Sequence, residues 1–251
     1  MKFKSIMITY FLWGLSTLFV YAQETKQLYL IHEDIVIPAK SSQYDEVSKS
    51  LKKALVDNNV TGFGYMSFWQ NDNTVIHVQP ISNYADLDKD FWKELSDKMG
   101  KDETEALFSK YDGTYHSHRD FVAVHHPDLS YKPEQVQEED NNFREWTYLY
   151  YDSKDEKEML GLMKEWKTLY ESKDIESGYS VFTAGVGHYG PVVVIHGWAN
   201  SEKEYAENNE KNMEALGDDR TALMGKTNPL IQKIESKRGW FQKDMSYSPG
   251  Q

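Results

Sequence analysis

Val194-Ile195-His196 repeats Val75-Ile76-His77, and two further phrases recur around them. Gly64-Tyr65-Met66-Ser67-Phe68 returns as Gly178-Tyr179-Ser180-Val181-Phe182, and Asp128-Leu129-Ser130-Tyr131 as Asp244-Met245-Ser246-Tyr247. The spacings, about 114 to 119 residues, are those of a domain and not of a short solenoid repeat. The chain is therefore expected to hold two copies of one unit, at 23–131 and 143–251, joined by a polar, acidic, proline-containing linker at 132–142.

Working outward from the echoes, each copy predicts the same order of elements. In the first, Leu28 to Val36 reads as a strand. Tyr44, Val47, Leu51 and Leu55 recur at helical spacing, up to Asn58-Asn59. Gly62 to Phe68 and Thr74 to Gln79 form a hairpin about Asn71-Asp72-Asn73. Tyr84, Leu87, Phe91, Leu95 and Met99 make one helical stripe stopped by Gly100, a short helix spans Thr104 to Tyr111, and Arg119 to His125 is a strand. In the second copy, Trp146 to Tyr151, a helix carrying Met159 to Tyr170, a hairpin of Ser180 to Thr183 with Pro191 to Trp198, and a helix from Tyr205 to Leu216 follow in turn. Helical residues around Leu230 to Ile234 precede an expected last strand at Trp240 to Lys243.

This is the β-α-β-β-α-β order of a ferredoxin-like unit, written twice. One such unit covers a single face of its sheet with helices and leaves the other face bare. The expected fold is α+β, with two tandem ferredoxin-like repeats packed sheet to sheet as a fused α+β barrel. From Leu28 to Tyr247 the chain resembles the dimeric α+β barrel superfamily, nearest to its NIPSNAP-like and antibiotic-biosynthesis-monooxygenase-like members. The resemblance implies a cavity between the sheets. It leaves the chemistry open among haem-degrading, cofactor-free oxygenase and inactive relatives.

Composition narrows the class. The 251 residues carry 28 Lys and Arg against 40 Asp and Glu, a formal charge of -12. Such a surface repels phosphate backbones and anionic lipid, so nucleic-acid and peripheral membrane partners are not expected. Lys2 and Lys4, the apolar run Ile6 to Val20 and the Val20-Tyr21-Ala22 site read as a signal peptide at 1–22, too short and wrongly flanked for a stable anchor. Export to a bacterial periplasm or the exterior follows. The chain contains no cysteine, so stability must come from core size, and thiolate chemistry is excluded.

Candidate ligand-binding residues follow from the echoes. If the third strands face the space between the sheets, His77 and His196 approach a common cavity from pseudo-symmetric positions, with Trp198 on the same face as His196. Tyr65, Tyr179 and Trp69 supply an aromatic wall. Each of these also has a plain reading, as a hydrogen-bonded core histidine or a sheet aromatic. His116 and His118 have a metal-ligand spacing, but no third ligand is evident, and a solvated strand end accounts for them; no metal site is expected. Gly185-Val186-Gly187-His188-Tyr189-Gly190 has the glycine spacing of a dinucleotide loop, yet a strand follows it, so it reads as an enlarged hairpin. No catalytic acid/base pair emerges, and the cofactor is unknown, with haem open but not required.

Two functions remain. One is an exported barrel binding a small apolar or aromatic molecule between its sheets, as a cofactor-free or haem-linked oxidoreductase. The other is a non-catalytic exported structural or protein-interaction protein. Oligomeric state is not legible.

Overall fold

The computed structural model describes residues 26–133 and 141–250. The expected signal peptide and residues 134–140 of the expected linker lie outside them. The first half runs β1 (Gln27–Val36), α1 (Ser41–Asp57), β2 (Met66–Gln70), β3 (Thr74–Ile81), α2 (Lys93–Met99), α3 (Lys101–Phe108) and β4 (Tyr115–His125). The second runs β5 (Phe143–Tyr151), α4 (Glu156–Ser172), β6 (Tyr179–Ala184), β7 (Val192–Ala199), α5 (Glu202–Thr227) and β8 (Ile231–Phe241).

The eight strands close into one antiparallel barrel, in the order β1-β3-β2-β8-β5-β7-β6-β4. Closure occurs where β2 pairs with β8 and β4 with β6, over three residue pairs at each seam. Along each strand, alternate residues point into the barrel or out toward the helices. Inward residues such as Phe68, Ile76, Trp146 and Tyr148 fill the lumen. Outward residues meet the helices in two separate cores, one around Leu51, Leu55 and Leu95, the other around Met159, Leu162 and Val193. No helix of the described residues is long and apolar enough to cross a membrane.

The echoed phrases sit at two seams. Tyr65 exchanges backbone hydrogen bonds with Tyr247 at 2.8 and 2.9 Å, and Tyr179 with Tyr131 at 2.8 and 2.9 Å. The Ser67 N–H donates to Ser246 Oγ at 2.9 Å, as the Val181 N–H donates to Ser130 Oγ at 2.9 Å. Each half is thus latched by the tail of the other.

Three elements differ from expectation. The stripe from Tyr84 to Met99 is a 3-10 turn at Tyr84–Asp88 followed by α2, and Gly100 (φ 105) turns the chain straight into α3. β4 begins at Tyr115. The last strand is the 11-residue β8, starting where helix was expected. Its Gln232-Lys233 and Glu235 to Arg238 stretches are largely solvent-facing, so the strand lacks the apolar alternation that would reveal it.

Candidate functional site

The register of the strands separates the two histidines. Ser67 pairs with His77 across the first hairpin, whereas Val181, its counterpart at the other seam, pairs with Ile195. Likewise His32 stands opposite His77, and Thr147 opposite Ile195. His77 therefore corresponds to Ile195, and His196 lies one residue further along. A one-residue offset along a strand reverses the face. This corrects the expectation of a shared cavity: His77 points out toward the first-half helices, and His196 points into the lumen.

The lumen is mostly filled. It retains a cavity of about 130 Å³, bordered by His196, Trp146, Phe182 and the buried Glu33. The His196 ring stacks on Trp146 at 5.4 Å, and Glu33 is ion-paired with Arg119. A much larger cleft, about 900 Å³, opens between the first sheet and α1, α2 and α3. Tyr65, Phe91, Trp92, Phe108, Tyr111 and Tyr115 contribute its aromatic surface, and His32, Asp34, Tyr44, His77 and Gln79 its polar floor.

That floor is one hydrogen-bonded cluster. The Tyr44 hydroxyl donates to Asp34 Oδ2 at 2.6 Å and stands 3.1 Å from His77 Nε2. His77 Nδ1 is 2.8 Å from Ser67 Oγ, which also lies 3.0 Å from the Met245 carbonyl. Ser67 Oγ donates its one proton to the Met245 carbonyl and Tyr44 its own to Asp34, so the consistent tautomer of His77 donates from Nδ1 to Ser67 Oγ and turns an unprotonated Nε2 toward Tyr44 Oη. His32 completes the cluster, with Nε2 at 3.2 Å from Asp34 Oδ1 and Nδ1 at 2.7 Å from Asp120 Oδ1.

Charge is distributed unevenly over these groups. Burial opposes a charge on His32, but its hydrogen bonds to Asp120 and Asp34 outweigh burial and push its pKa up to about 10. Burial and the neighbouring His32 cation push His77 down to about 4. Asp34, though buried, is held below the usual carboxylate range by its bonds to His32 and Tyr44. Burial, then the Asp34 charge, raises Tyr44. At neutral pH the cluster is a cationic His32 between two carboxylates, beside a neutral His77. Gln79 adds a buried Nε2 with no hydrogen-bond partner.

Of the six candidate residues, the structure brings His77 and Tyr65 to this cleft, with their rings 5.6 Å apart. Trp69 packs beside it, edge-on to Tyr44 at 5.9 Å. Tyr179 belongs to the second-half core with Tyr170 at 5.1 Å. Trp198 borders a different, surface cleft with Lys132 over its ring at 5.5 Å. His116 is exposed, and His118 is exposed beside His32, with ring centroids 5.6 Å apart. Among the described residues no three His, Asp or Glu side chains are grouped to hold a metal ion. The Gly185–Gly190 stretch joins β6 to β7, a hairpin as expected. His32, Asp34 and Tyr44 were not anticipated. The available signal was His32-Glu33-Asp34, three ionisable residues inside an otherwise apolar strand.

Haem, which the superfamily resemblance left open, does not fit these residues. Both ring nitrogens of His77 and of His32 are engaged within the cluster, so neither offers a lone pair to iron without dismantling it. The cleft wall also holds five carboxylates against Lys101 and His32, a poor match for haem propionates.

No protein-family model and no curated protein matches the chain. Solved structures do. An anthrone oxidase-like protein aligns with a TM-score of 0.60 at 12% identity, over 91% of this chain and 95% of its own. A candidate monooxygenase from Fusobacterium nucleatum aligns at 0.55 and 10% identity, over 88% and 94%. Another from Lactobacillus acidophilus NCFM aligns at 0.54 and 9%, over 90% and 98%. At these identities the likeness shows the fold, an α+β barrel, and nothing about residues or activity.

Proposed function

We propose that the chain is an exported oxidoreductase that binds a small, flat aromatic molecule in the first-half cleft and oxidises it without a bound cofactor. The tandem ferredoxin-like repeats at 23–131 and 143–251, and removal of a signal peptide at 1–22, belong to this reading. Within the superfamily, the monooxygenase-like branch guides it better than the NIPSNAP-like one. The observation that carries it is the Asp34–Tyr44–His77 cluster on the floor of an aromatic cleft. Buried ionisable groups cost stability, and their concentration in a cleft favours a catalytic explanation.

The chemistry begins with loss of a proton from an activated C–H or O–H of the ligand. The proton enters the Asp34–Tyr44–His77 cluster at His77, its half-buried member, and Tyr44, which has no exposed surface, relays within the cluster, 2.6 Å from Asp34 Oδ2. Ser67 holds the His77 ring with Nε2 3.1 Å from Tyr44 Oη, and His32 holds Asp34 in place. The electron-rich ligand anion then reduces dioxygen from solvent. For an anthrone, chosen because one structural neighbour is anthrone oxidase-like, one O2 is consumed, the methylene becomes a carbonyl and one water leaves.

The test is oxygen uptake by the full chain with anthrone in air, alongside intrinsic tryptophan fluorescence. Uptake should fall about 100-fold or more in Tyr44→Phe, the usual scale for a lost acid/base group, and stay near wild type in His196→Ala. Equal loss in both variants, with both folded, would return the site to the lumen. Fluorescence unchanged by anthrone and by larger aromatic phenols would favour the non-catalytic reading.

A further inference from the structure

The cleft has a charge as well as a shape. Asp34, Asp90, Glu105, Asp112 and Asp120 line it, against Lys101 and His32. His32 is held between Asp34 and Asp120 at 3.2 and 2.7 Å, and Lys101 stands 3.6 Å from Glu105 in an exposed pair worth little. A carboxylate or phosphate approaching this wall meets net repulsion, since the lining carboxylates outnumber the two cations. A cleft lined by one sign of charge focuses its field on whatever enters.

The apolar surfaces act in the same sense. The faces of Trp92, Tyr111 and the other wall aromatics carry partial negative charge, which attracts an ammonium. Trp92 is fixed edge-on by Phe63 and Phe108, each at 5.0 Å, so its ring is set before a ligand arrives. The ligand therefore carries positive charge toward the rim.

We propose that the cleft selects a cationic aromatic amine and discriminates against aromatic acids and phosphate esters. The inference rests on the reading of this cleft as the ligand site and names its substrate class. The exposed Asp90, Glu105 and Asp112 set the preference. Asp34 and Asp120 are occupied with His32.

The test is isothermal titration of the full chain with three compounds on one ring system: 1-naphthylmethylamine, 1-naphthalenemethanol and 1-naphthoic acid. The amine should bind about tenfold tighter than the alcohol, with the acid weakest, and about 0.5 M NaCl should shrink the gap, because rim charges are screened. The triple variant Asp90→Asn/Glu105→Gln/Asp112→Asn should bring amine and alcohol within about twofold while leaving the alcohol's affinity in place. An acid that binds as tightly as the amine overturns the inference and leaves the cleft standing. If none of the three binds, the cleft reading itself falls and the inference falls with it.

Discussion

Beneath α1 the outward face of the first sheet carries His32, Asp34, Ser67 and His77; beneath α4 the corresponding places hold Thr147, Leu149, Val181 and Ile195. The helices repeat the contrast. Tyr44 and Ser48 are the fourth and eighth residues of α1, and Met159 and Met163 the fourth and eighth of α4. One architecture thus supports a polar cleft on one side and a packed apolar layer on the other. The second layer shows that the fold needs none of the first layer's polar groups. Side chains that are costly to bury and dispensable for folding are best explained by what they do.

Exchanging the two layers should therefore fail in one direction. Leu149→Asp would place a carboxylate at the second-half counterpart of Asp34 without a His32 or Tyr44 beside it. We expect it to cost about 3–5 kcal/mol in urea unfolding, as an uncompensated buried charge does. Met159→Ala, a cavity in the fully buried second core, should cost about 2–5 kcal/mol and leave oxygen uptake intact. Tyr44→Phe should cost less stability, about 1–3 kcal/mol, because it unpairs Asp34 and His77 without opening a large void. It is the one that should remove activity. A Met159→Ala variant that stays folded but inactive would break the division between the halves.

The pH dependence of stability sharpens the same contrast. His32 has a raised pKa, so its contribution is fully present below about 6.5 and is lost as pH rises through about 10. His77 has a lowered pKa, so the unfolded chain binds more protons between about 4 and 6.5 and stability falls as pH drops through that window. The two limbs should meet in a maximum near neutral pH. His32→Gln should flatten the alkaline limb and His77→Gln the acid one, measured as unfolding midpoints across pH. An acid limb that survives His77→Gln unchanged would show that another group carries it.

Much of the fold was legible because its signals are local. Helical spacing in Tyr44 to Leu55 and in Met159 to Tyr170, together with the repeated phrases, point to the right order of elements. β8 escaped because its exposed face is polar. The site was harder, and the reason is one residue. Val-Ile-His looks the same in both halves, yet the second hairpin is four residues longer between paired positions, not the five that the echo requires. In a strand, four preserves the face and five reverses it. Tyr65 and His77 could be nominated from such echoes. Tyr44 could not, since a tyrosine on the buried stripe of a helix reads as core until Asp34 is seen beneath it.

The crossed latches have a consequence for how the molecule is made. Ser67, which orients His77, is held by Met245 and Ser246, and Tyr65 by Tyr247. Synthesis proceeds from the N-terminus, and domains generally fold as they emerge. The first half can collapse early, but the floor of its cleft is fastened only when the segment from Gln242 to Tyr247 arrives, behind the whole of the second barrel half. A chain interrupted shortly before that point carries every residue of the cluster and lacks the brace that sets it. Competence is thereby tied to synthesis of the second half through Tyr247.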